Sequence, residues 1–89
     1  MKLGDKLRDI REKDGVNIPD MATKLNVNKN TLGAYERGER LPDIDFLISF
    51  ANTTSEDFFL LLELRVRESQ APGAKEALAL LDAVGDALG

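Results

Sequence analysis

Helix-breaking and helix-capping residues fall at short, regular intervals between positions 15 and 43, and this punctuation limits the fold more than any other property of the chain. Gly15 and Gly38 are suited to left-handed helix ends, while Asn17, Asn28 and Asp43 have the short polar side chains that cap helix starts. Pro19 and Asp20 follow Asn17, which puts a proline in a first turn and a carboxylate near its amide-rich end. Only Asn26, Val27 and Asn28 then separate the second helix from the third, and Val27 is placed to staple onto Leu32. Two short helices must therefore meet across a tight turn.

The apolar periods fill in the remainder. Leu3, Leu7 and Ile10 define one face of a first helix, and Met21, Ala22 and Leu25 the inner face of the second. A fourth helix is expected over roughly 43–52, carrying Ile44, Leu47, Ile48, Phe50 and Ala51. Ser55, followed by Glu56 and Asp57, is expected to start a fifth that runs to about Glu68. "SQAPG" breaks the chain, and a sixth is expected over about 74–88. No segment alternates as a strand would. The fold expected is all-α: a compact five-helix domain over residues 1–62 and a C-terminal helical extension over 63–89. With 89 residues, 43% of them hydrophobic, such a chain builds a modest core, and association with a second copy is a natural way to gain stability.

Composition removes several function classes. Cysteine and histidine are both absent, which takes away thiol nucleophiles, Ser-His relays, imidazole bases and the usual zinc sites. The acidic pairs Asp5 with Asp9 and Asp43 with Asp45 read as caps and solvated faces rather than acid/base machinery. No enzyme activity and no cofactor or metal is implied. No run of about eighteen apolar residues and no signal peptide is present, so a cytoplasmic protein without membrane spans is expected. The net charge of −4 is unhelpful for binding nucleic acid, and residues 1–60 hold nine Lys/Arg against eleven Asp/Glu. Any contact with DNA must come from a local face.

Such a face is visible in "NKNTLGAYERG". On a helical wheel Lys29, Asn30, Gly33, Ala34 and Arg37 share one stripe about 140° wide, with Thr31, Leu32 and Tyr35 on the other side. An ordinary solvated helix face has the same look. A helix with a buried back that follows another across a tight turn is, however, the helix-turn-helix arrangement, in which the second helix enters the DNA major groove. Tyr35, beside Leu32, reads as a core residue rather than a base-stacking one.

From about Gly4 to Leu62 the chain resembles the helix-turn-helix domains of the lambda-type phage repressor and Cro group, also called the xenobiotic-response-element regulators. The resemblance rests on "LRDIREKDG", "MATKLNVNKNTLGAYERGERLPD" and "FANTTSEDF", with "YERGERLP" the most specific piece. It implies a buried ion pair between Arg11 and Glu36, and a small-residue helix crossing at Ala22. It makes Asn28, Lys29 and Asn30 the start of the recognition helix, with Lys29 and Asn30 as base readers. Gly33 and Ala34 match positions where relatives often carry longer polar readers; Ala34 can touch a thymine methyl and Gly33 allows close approach. Arg37 and Arg40 would contact phosphates, as would the backbone near Asn17. Ile18 departs from the pattern, standing where the family usually has a phosphate-anchoring glutamine. Asp43 and Asp45 depart too, so modest, strongly salt-dependent affinity is expected.

Phe58 to Leu62, Leu64 and Val66 surround the fifth helix, and the sixth is also apolar over most of its circumference. A homodimer joined through Leu61, Leu64, Leu78, Leu81 and Val84 would cover these surfaces; folding of the sixth helix back onto its own domain is the alternative. The function expected is that of a sequence-specific transcriptional regulator, a phage or prophage type of repressor that binds double-stranded DNA at a repeated operator. The alternatives are an antitoxin, or a protein-interaction module on the same scaffold, with a toxin or antirepressor as partner.

Overall fold

The computed structural model describes residues 1–69, which form five α-helices: α1 (Leu3–Lys13), α2 (Ile18–Leu25), α3 (Lys29–Glu36), α4 (Ile44–Thr54) and α5 (Phe58–Glu68). Among the described residues there is no strand, and no helix is long and apolar enough to cross a membrane. The expected sixth helix, with Leu78, Leu81 and Val84, lies outside the described residues.

The punctuation works as its chemistry requires. Gly15 (φ 72°) and Gly38 (φ 76°) take the left-handed conformation after α1 and α3. Each lets the amide that follows it fold back onto a carbonyl of the helix's last turn, Val16 N–H to Arg11 O (3.2 Å) and Glu39 N–H to Ala34 O (3.0 Å). Asn26 (φ 56°) ends α2 in the same conformation. Asn17 Oδ1 accepts the Asp20 amide (2.9 Å), Asn28 Oδ1 the Asn30 amide (2.7 Å) and Asp43 Oδ1 the Phe46 amide (2.8 Å).

One boundary differs from expectation. α4 continues to Thr54, whose hydroxyl donates to the Phe50 carbonyl (2.7 Å), and Ser55 is the left-handed residue that ends it (φ 58°). Asp57 instead caps α5, accepting the Phe59 amide at 2.9 Å. A carboxylate two residues later thus takes the role expected of Ser55.

The core is formed by Leu3, Leu7 and Ile10 of α1, Met21, Ala22 and Leu25 of α2, Leu32 and Tyr35 of α3, Phe46, Leu47, Phe50 and Ala51 of α4, and Leu61 of α5. Val27 and Ile18 are half-buried against it. Leu61, expected at a dimer interface, is fully enclosed (0% exposed). The inner line of α5 needs one large side chain to close the bottom of the core, and Leu61 fills that place, which leaves Phe59 and Leu60 outside. Leu64 is half-buried against the same core.

α1 lies across the C-terminal end of α3 at very short range. A Cβ at Gly4 would stand 2.5 Å from the Glu36 carbonyl oxygen and 2.6 Å from that of Tyr35, so only glycine permits this crossing. α1 has no side-chain cap of its own; Glu68 Oε1, from the last turn of α5, accepts the Leu3 amide at 2.7 Å. Arg65 Nε donates to the Pro42 carbonyl at 2.6 Å. α5 therefore runs unbroken past residue 62, and its final turns are tied to both α1 and the segment leaving α3.

Candidate nucleic-acid interface

The second half of the helix pair, α3, has its back buried by Leu32 and Tyr35 and its N-terminal end open to solvent, where Lys29 and Asn30 are both exposed. α2 supports it across the three-residue turn, and Ala22, 3% exposed, sits in the core beside it. The side-chain oxygens of Asn17 and Asn28 are occupied by capping, which leaves their amide N–H groups as outward donors. Ala34 is half-buried and Arg40 exposed, its guanidinium 5.8 Å from the centroid of the Tyr35 ring. Tyr35 meets Phe46 edge-on at 4.7 Å in the core.

The orientation of α3 is set at its other end. Arg11 Nε and Nη2 donate to Glu36 Oε2 and Oε1 at 2.7 and 2.8 Å, and Arg11 Nη1 donates to the Val16 carbonyl at 3.0 Å. The Glu36 side chain is 1% exposed, so its charge is compensated almost entirely within the chain. Donation to the Glu36 carboxylate holds the Arg11 pKa above its ordinary value. Arg8 adds a second cation, with Nε 3.6 Å from Glu36 Oε1. Its position three residues before Arg11, on the same side of α1, is a signal that sequence reasoning passed over.

Two positions in the expected reading stripe make contacts within the chain. Gly33 is buried, covered by the side chain of Arg37: a Cβ there would lie 2.8 Å from Arg37 Nη1. The surface presented over Gly33 is therefore that of the Arg37 side chain. Arg37 in turn is held by Glu39, with Nε to Oε1 at 2.9 Å and Nη2 to Oε2 at 3.1 Å. The contact raises the Arg37 pKa and lowers that of Glu39. Residues two apart on a helix point in different directions, and only the left-handed turn at Gly38 brings these two side chains together.

The sequence profile of the helix-turn-helix domain family matches residues 2–55. The HTH-type transcriptional regulator ImmR of Bacillus subtilis is 40% identical over 62 residues, a stretch that makes up 67% of this chain and 49% of that protein. The putative HTH-type transcriptional regulatory protein TK0539 of Thermococcus kodakarensis is 36% identical over 53 residues, which are 60% of this chain and 17% of that one. This chain thus spans about half of the first relative and a much smaller part of the second. Residues 2–55 take in α1 through α4, including the tight turn and both helices that flank it, and the chain therefore belongs to the lambda-repressor-like helix-turn-helix family.

Proposed function

We propose that this chain is a sequence-specific DNA-binding transcriptional regulator of the phage or prophage repressor type, which acts in the cytoplasm as a homodimer on a repeated operator. The observation that carries the reading is the open N-terminal end of α3, where Lys29 and Asn30 project from a helix fixed by the Arg11–Glu36 pair. Lys29 can donate to guanine acceptors, and Asn30 can pair with adenine through its carbonyl and amide. The amides of Asn17 and Asn28, the exposed Arg40 and the first turn of α2 lie where flanking phosphates would run. Ala34 offers an apolar surface to a thymine methyl. Occupying a promoter is then sufficient for repression.

A dimer is supported by the apolar surface left on α5, where Phe59 is 47% and Leu60 37% exposed. Two-fold pairing would set two α3 helices about 34 Å apart, one turn of DNA. The reading as an antitoxin or protein-interaction module draws on the acidic net charge and on Ile18, whose side chain serves the core instead of a phosphate.

Selection from a pool of random duplexes at low salt tests the proposal. An enriched motif with half-sites one helical turn apart is expected, with binding that weakens steeply as salt rises and is lost in the Lys29→Glu, Arg37→Glu double variant. Absence of any enriched motif would transfer the weight to a protein partner.

A further inference from the structure

Gly33 occupies the middle of the outward stripe of α3, one turn after Lys29 and Asn30, yet it has no side chain with which to read anything. A glycine within a helix also weakens the helix. The structure shows what the missing side chain makes room for. Arg37, one turn further on, folds back toward the helix N-terminus, the direction that helical side chains favour, and its Nη1 rests where a Cβ at position 33 would collide, 2.8 Å away. The Arg37 side chain remains 53% exposed in this position.

Glu39 determines which edge of the guanidinium remains for a partner. It takes the Nε–H and one N–H of Nη2, at 2.9 and 3.1 Å. The far edge, with one N–H from each Nη, is left as a parallel two-donor fork. That fork matches the O6 and N7 acceptors of guanine in the major groove. With two of its donors held by Glu39, the side chain loses little rotamer freedom when it binds.

Resting on the reading of α3 as a recognition helix, we infer that Gly33, Arg37 and Glu39 form one recognition unit: Arg37, seated over Gly33 and braced by Glu39, reads a guanine base edge and is not a phosphate contact. Glu39 touches no base; it is a positioning residue.

The test compares wild type with Gly33→Ala, Glu39→Gln and Arg37→Lys, by selection from random duplexes followed by binding measurements at several salt concentrations. The expected wild-type motif contains a guanine next to the bases read by Lys29 and Asn30. All three variants should reduce the preference for that guanine about tenfold, in the range of one bidentate base contact, and leave preferences at other positions unchanged. Gly33→Ala should do so with an undiminished melting temperature, because alanine suits a helix and only the Arg37 side chain must move. Glu39→Gln should bind non-cognate duplexes more tightly, having lost a negative charge close to the phosphates, while discriminating less. The inference is overturned if base preferences in the three variants match wild type while the charge-removing Arg37→Gln weakens every duplex equally and lowers the salt slope by about one, the behaviour of a phosphate contact. If wild type itself enriches no motif, the DNA-binding reading fails and this assignment fails with it.

Discussion

Arg11 and Glu36 join α1 to the end of α3 through two hydrogen bonds of 2.7 and 2.8 Å, with the carboxylate almost wholly removed from water. The pair fixes the tilt of the helix proposed to read DNA, although neither residue lies on the exposed stripe. Glu36→Ala would strand a mostly buried guanidinium and should lower unfolding free energy by about 3–5 kcal/mol in urea titrations. The apolar pair Arg11→Met with Glu36→Leu should recover most of that loss. A double variant as unstable as the single one would show that the pair does more than satisfy itself.

Gly4→Ala should be destabilising even though alanine is the better helix former. The added methyl meets two backbone carbonyls at 2.5 and 2.6 Å, and backbone cannot swing aside as a long side chain can. Calorimetry should show a loss of about 1–3 kcal/mol or more, the usual range for overpacking, together with a displaced α1.

On α5, neighbouring residues should separate stability from association. Leu61→Ala opens a cavity in the core and should cost about 2–5 kcal/mol, whatever the protein concentration. Phe59→Ser with Leu60→Ser alters exposed surface and should leave the unfolding of dilute protein nearly unchanged. In sedimentation experiments the same double variant should shift the protein toward monomer, and an undisturbed dimer would place the interface elsewhere.

The Arg37–Glu39 pair predicts a pH response of definite sign. Hydrogen bonding to Arg37 puts the folded-state pKa of Glu39 below its ordinary value, so the pair is intact at and above the ordinary carboxylate range and is lost as pH falls through the depressed value. The upward shift of Arg37 keeps it charged on the alkaline side. A carbon-detected titration of the Glu39 carboxyl should therefore show a lowered midpoint, which Arg37→Gln returns toward the ordinary value.

Shortening the chain should distinguish two positions for the end of the folding unit. Ending it after Ser69 preserves the bonds from Arg65 to Pro42 and from Glu68 to Leu3. Ending it after Leu62 removes both, at about 1 kcal/mol each, and with them the half-buried Leu64. For a domain of this size the melting temperature should fall by about 10 °C or more.

Local chemistry made much of the fold legible in advance. Asn17, Asn28, Gly15 and Gly38 act through their own backbone and the next few residues, so their roles follow from residue type and spacing. Ser55 was ambiguous because it and Asp57 are both good caps; the length of α4, set by packing, decided between them. The run Phe58 to Leu62 hides its inner face because every position is apolar, and only the completed core singles out Leu61. The Arg11–Glu36 pair was legible through family resemblance, since a separation of 25 residues has no local signature. Glu39 was missed because helical spacing argues against a contact with Arg37, and the contact exists only through the reversal at Gly38.

The two bonds made by the last turns of α5 also determine how the domain would feel anything joined to it. Glu68 grips the first amide of α1, and Arg65 grips Pro42, a few residues beyond α3. A torque applied at Ser69 therefore has a short, rigid route to both ends of the scaffold that aims α3, with α5 as the lever arm. A second subunit or effector pulling there would steer the pitch of α3 instead of tugging on a slack tether.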